Sequence, residues 1–164
     1  MTTDHHDAPL RSRADQLVRA TWILGIGGLI PFVVGTALIL SNSEIMAPPD
    51  LWFAVSAYAA IILSFLGGIR WGAALNENGR KSPTTVALSV LPSIAAWVIV
   101  LMPAPWTFVG FAVAFIVQGV WDVTAIQEGR IETPWFARQR LVLTLVVVAC
   151  MVALAFATNE VAAY

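Results

Sequence analysis

Four stretches without a single charged side chain, residues 20–43, 51–69, 82–121 and 141–159, make up most of this 164-residue chain. A membrane-crossing helix takes about 20 apolar residues, so the third stretch, 40 residues long, has room for two. Pro103-Ala104-Pro105 divides it, because proline breaks the helical ladder and biases the residue before it away from helical geometry. Lipid offers no partner to a backbone N–H or C=O, and a segment this apolar satisfies its own backbone as a helix. The expectation is therefore an all-α polytopic membrane protein of five transmembrane helices. The spans are placed near 20–41, 51–75, 84–102, 105–124 and 137–158. With 59% hydrophobic and 12% charged residues, no polar stretch remains for a soluble domain. One membrane domain over 20–158 is flanked by an N-terminal segment, 1–19, and a short tail, 159–164.

Positive charge sits at one end of this arrangement. Arg11, Arg13 and Arg19 precede the first span, Arg80 and Lys81 follow the second, and Arg130, Arg138 and Arg140 precede the fifth. The intervening loops, 41–50 and 102–104, and the tail after Thr158 carry no Lys or Arg. Eight against none predicts a cytoplasmic N-terminus and an outer C-terminus. We call the cation-rich side the basic end. The net charge of −1 and the spread of these cations along the chain give nucleic acid no basic patch to bind. The lipid bilayer is the expected partner.

The tryptophans follow the same boundaries. Trp22, Trp71 and Trp121 fall near basic ends of spans, Trp52 and Trp106 near opposite ends, and Trp135 lies in the last basic loop. Such belts mark membrane interfaces. In the N-terminal segment, Leu10, Ala14, Leu17 and Val18 recur at helical spacing among Arg11, Arg13, Asp15 and Arg19. That pattern predicts a short amphipathic helix on the membrane surface. Helix starts are expected at Asp50, at Ser82-Pro83 and at Thr133-Pro134, each a capping side chain beside an apolar run or a proline.

Polar groups within the spans are the candidates for function. Arg70 and Asp122 lie toward the basic ends of the second and fourth spans, and Gln118 stands one turn from Asp122. Two readings are open: Arg70 snorkels or pairs structurally with Asp122, or the three line a substrate or proton site. Along the second span Ser56, Ala60, Ser64, Gly68 and Gly72 recur every fourth residue. Small residues let helices approach closely in lipid, so Ser64, Gly68 and Gly72 are candidate helix-packing positions, within the chain or between copies. At 100° per residue Arg70 points away from Gly68 and Gly72. Pro31 and Pro92 are expected to kink the first and third spans.

No span contains histidine, and Cys150 is the only cysteine. A bis-His haem, a Cys cluster and a disulfide within the chain are therefore excluded. His5 and His6 lack companions for a metal site. No catalytic residue, cofactor or metal is expected, and no nucleophile stands with a base.

The run Ser64-Phe65-Leu66-Gly67-Gly68-Ile69-Arg70-Trp71-Gly72 resembles an uncharacterised membrane family, the domain of unknown function that includes transmembrane protein 69. Arg138-Gln139-Arg140-Leu141-Val142-Leu143-Thr144-Leu145 is similar to the basic start of that family's last helix. The resemblance implies the same five-helix layout in a bacterial inner membrane or a mitochondrial membrane, the bacterial inner membrane being the expected location. It also implies that Arg70 stands where many relatives carry histidine. The leading expectation is a non-enzymatic accessory, assembly or self-associating protein, a homo-oligomer or part of a larger membrane complex. The alternative is a small transporter or channel with a polar site near Arg70, Gln118 and Asp122.

Overall fold

A computed structural model describes residues 8–41, 48–76, 83–127 and 134–162, and among them every regular element is an α-helix. The helices are α1 (Ala8–Gly27), α2 (Ile30–Leu40), α3 (Pro48–Asn76), α4 (Pro83–Leu88), α5 (Leu91–Val100), α6 (Trp106–Gln127) and α7 (Pro134–Ala162). They provide five stretches long and apolar enough to cross a membrane: Asp15–Leu40, Pro49–Leu75, Pro83–Val100, Trp106–Thr124 and Trp135–Asn159. The protein is a multi-pass membrane protein.

Two of the five stretches are paired helices with a proline just past the break. Pro31 has no N–H to give, and at this point Leu29 bonds Ile26 O rather than continuing the four-residue ladder. The Tyr58 hydroxyl on α3 donates to Gly28 O across the break, at 3.0 Å. At Pro92 the same happens: Val90 N–H bonds Ala87 O and Ser93 N–H bonds Val90 O. The Ser89 hydroxyl donates to Val86 O at 2.6 Å. Neighbouring side chains thus re-satisfy a backbone that proline has interrupted. Tyr58→Phe removes one such donor and is expected to cost about 1 kcal/mol, seen as a lower thermal midpoint of the purified chain in detergent.

The N-terminal helix differs from expectation. Among the described residues no separate surface helix precedes the first span, because α1 runs unbroken from Ala8 to Gly27. Pro9 falls in its first turn, where a missing N–H is harmless, and nothing between there and Gly27 interrupts a helix. Likewise Asp50 is not a cap. α3 begins at Pro48, and Asp50 lies inside its first turn, where its charge favours the positive helix end. Ser82 and Thr133, the other expected caps, and His5 and His6 lie outside the described residues.

The core is aromatic and aliphatic. Phe32 of α2 is 1% exposed and meets Tyr58 of α3 edge-on at 5.1 Å and Phe115 of α6 at 6.0 Å. Leu63, Phe108, Phe111, Met151 and Leu154 complete the buried centre. α6 and α7 form the most extensive helix pair, followed by α3 and α5. The outside is equally apolar: Leu24, Phe53, Trp97 and Phe156 are all more than 60% exposed. In water such a surface would aggregate; against acyl chains it is at rest.

Candidate functional site

The polar groups expected near the basic end come together around one carboxylate. α6 carries Gln118 and Asp122 one turn apart, and Gln118 Nε2 donates to Asp122 Oδ1 at 3.1 Å. α3 brings Arg70, whose Nε stands 3.9 Å from the same oxygen. The other oxygen, Oδ2, is taken by Arg140 of α7. Arg140 Nε donates to it at 2.9 Å, and Nη2 lies 2.7 Å away, close enough for an ion pair though not aligned as a hydrogen bond. Asp122, Gln118, Arg70 and Arg140 are each 6% exposed or less.

Arg70 gains a second neighbour from α6, its guanidinium lying over the Trp121 ring with Cζ 4.6 Å from the centroid. Planar guanidinium on an indole face is a favourable, weakly hydrated arrangement. It lets a cation sit within the bundle at this depth instead of snorkelling away. Both Asp122 oxygens are engaged by groups from three helices, so the carboxylate ties α3, α6 and α7 together.

Arg140 was not legible as a member of this cluster, since it counts first as a loop cation beside Arg138. The two differ by roughly 200° around α7, and only Arg140 is buried while Arg138 is exposed. The signal available was Asp122 itself, a carboxylate at membrane depth that calls for a full cation partner. Gln139, beside it, turns toward α1 and donates from Nε2 to Thr21 O at 2.7 Å.

The small-residue row behaves differently from the polar one. Ser56 is buried and Ser64 half-buried, but Gly68 and Gly72 are exposed, and a Cβ added at either would meet nothing within 4 Å. Among the described residues they have no close helix neighbour. A four-residue step advances 400°, so the row from Ser56 to Gly72 drifts roughly 160° around the helix, from the core to the outer side. The close approach within the chain falls to Gly67, where a Cβ would lie 2.5 Å from Ser89 O and 3.4 Å from the Pro92 ring. Among the described residues no group of three or more His, Cys, Asp or Glu gathers in metal-binding geometry.

Comparison with known proteins places this arrangement. The family described as "Protein of unknown function (DUF3429)" matches residues 17–156. The chain belongs to this family. Transmembrane protein 69 of Xenopus tropicalis is 37% identical over 133 residues, 79% of this chain and 51% of the frog protein. Transmembrane protein 69 of Mus musculus is 37% identical over 78 residues, 46% of this chain and 31% of the mouse protein. The aligned part thus spans about half the length of the first relative and under a third of the second. No solved structure matches. The DUF3429 region contains Gly67, Arg70, Gln118, Asp122 and Arg140, so both the polar cluster and the close α3–α5 contact lie inside it.

Proposed function

We propose that this DUF3429 member is a non-enzymatic accessory or assembly protein of a bacterial inner membrane, N-terminus in the cytoplasm, associating through the outer face of α3 with a second copy or a larger membrane complex. The observation that carries this reading is the open Gly68 and Gly72 pair. Gly25, Gly35, Gly67, Gly110 and Gly119 are each closed over by a neighbour in the chain, whereas a Cβ at Gly68 or Gly72 would meet no described atom within 4 Å. Gly27 is open as well, but stands alone beside the α1–α2 break. Around Gly68 and Gly72, Ile61, Phe65, Trp71 and Leu75 are exposed. A Gly-x-x-x-Gly gap between large side chains is a shape that a second helix fills in lipid.

The saturation of Asp122 supports a structural role for the polar cluster over a transport site, since a group already bonded on both oxygens has little left for a solute. The eight-to-none division of Lys and Arg supports the orientation.

Gly68→Leu/Gly72→Leu fills the gap at two positions where a Cβ meets no described atom within 4 Å. It is expected not to lower the thermal midpoint, helix propensity raising it by a few degrees if anything, and to weaken association roughly tenfold. Energy transfer between labelled copies in liposomes, together with mass spectrometry of the tagged chain drawn from native membranes, checks both. A wild-type chain that is monomeric and partner-free, and that the double variant leaves unchanged, overturns the reading.

A further inference from the structure

The two halves of the first span are held very differently. α2 packs on both α3 and α7, and its Phe32 is 1% exposed between Tyr58 and Phe115. α1, on the basic side of the break, has one extended helix contact, with α7, and it is the slightest such contact in the bundle. Among the described residues one side-chain hydrogen bond ties α1 to another helix, from Gln139 Nε2 to Thr21 O at 2.7 Å. The Thr21 hydroxyl stays within its own helix, donating to Leu17 O and Val18 O.

Because α1 leans on α7 and not on α3, an apolar slot of about 280 Å³ remains between α1 and α3. Leu24 of α1 and Phe65 of α3 both line it and are 74% and 62% exposed, which makes them the lips of an opening toward lipid. In water two such walls would be driven together. In a bilayer that drive is absent, since acyl chains cover an open wall about as well as the other wall would. Open and closed positions of α1 are therefore close in energy, and a single hydrogen bond is enough to choose between them.

The joint suits such a movement. At the break Leu29 N–H bonds Ile26 O in place of the four-residue ladder, and Pro31 has no N–H to restore it. A Cβ added at Gly27 would meet no described atom within 4 Å, so the backbone can turn there without striking a neighbour. Beside it the Tyr58 hydroxyl pins Gly28 O to α3 at 3.0 Å. A fixed pivot with a weakly held arm beyond it is the arrangement of a hinge.

We propose that α1 is a hinged lid on this slot. It swings about residues 27–29 between its seat on α7 and a closed position in which Leu24 meets Phe65, and the Gln139 amide is the latch that holds it open. Gly25 forms the seat. A Cβ there would lie 2.7 Å from Gln139 Nε2 and 2.9 Å from Leu143 Cδ1, so a side chain at this position either pushes α1 off α7 or pushes Gln139 off Thr21 O. The lid works within one chain and does not need the association proposed above.

Distances between nitroxide labels on the full chain in liposomes test it. Ile23→Cys/Ile61→Cys places labels at positions 70% and 64% exposed on α1 and α3, with Cys150→Ser to remove the native thiol. Labelled chains are diluted in unlabelled ones, so that each distance belongs to one molecule. The otherwise native chain is expected to show two distances, the longer one dominant. Gln139→Met keeps the bulk and removes the donor, and should raise the ratio of short to long about fivefold to tenfold, the worth of one hydrogen bond. Gly25→Leu should move the ratio the same way. A Val33→Cys/Ile61→Cys pair, from the anchored α2 to α3, should keep one distance throughout. A single Ile23–Ile61 distance in the otherwise native chain, a ratio unmoved by Gln139→Met, or a Val33–Ile61 distance that spreads alongside each overturns the lid. Should Gln139→Met fail to fold, Gly25→Leu takes its place in the same comparison.

Discussion

Asp122→Ala is expected to destabilise the bundle by about 3–5 kcal/mol, the scale seen when one partner of a buried ion pair is removed. The loss is not the attraction alone. Arg140 Nε and Nη2 both converge on Asp122 Oδ2, and without the carboxylate a cation only 6% exposed keeps its desolvation and loses its compensation. Gln118 Nε2 loses its acceptor as well. Arg140→Met on its own takes the partner of Oδ2 but leaves the carboxylate Gln118 and, at 3.9 Å, Arg70, so its loss should lie at the low end of that range. Asp122→Ala/Arg140→Met removes both charges and should cost clearly less than the sum of the two single losses, since each change relieves the charge that the other leaves without its partner. Reversible unfolding in mixed micelles gives the four free energies of this cycle. Near-additive losses would mean that the two residues do not act as a pair. Small losses for all three variants would return Asp122 to the candidates for solute binding, because a transport site need not hold the fold together.

How far the chain could be read before its structure follows from which forces act locally. The membrane stretches are written in runs of apolar residues, because lipid penalises every unpaired backbone group and leaves the chain few options. Arg70, Gln118 and Asp122 stood out for a related reason: polar groups at depth are rare enough to notice. Their juxtaposition needed α3 and α6 side by side. Arg140 stayed hidden because a cation just outside an apolar run is ordinary, and only the facing of α7 distinguishes it from Arg138. The Tyr58 hydroxyl is bonded to a carbonyl 30 residues away, a relation that no local pattern encodes. The i+4 row in α3 left open whether its small residues pack within the chain or between copies. Counting by fours keeps small residues in register on paper, while on a real helix the row turns away from the core before it reaches Gly68.

Gly67 and Gly68 turn that difference into opposite expected signs. Alanine is favoured over glycine in a helix by up to about 1 kcal/mol, so in the absence of a clash both substitutions should stabilise α3. At Gly68 there is no clash, and Gly68→Ala is expected to raise stability by a few tenths to about 1 kcal/mol. At Gly67 the new Cβ would sit 2.5 Å from Ser89 O, a backbone atom fixed by the break before Pro92. Ser93 N–H bonds Val90 O there, so the Ser89 carbonyl lies against α3 instead of within a regular ladder. A side-chain tip could swing aside, but this carbonyl cannot move without shifting α4 and α5 together. Gly67→Ala is therefore expected to cost about 1–3 kcal/mol despite its better helix propensity, and Gly67→Leu more. Unfolding of the three variants under one set of conditions gives the comparison. If Gly67→Ala stabilised the chain, the third span would have room to withdraw from α3. A loss at Gly67 beside a gain at Gly68 would establish that the two glycines serve different neighbours: the first the chain's own proline break, the second whatever meets α3 from the lipid side.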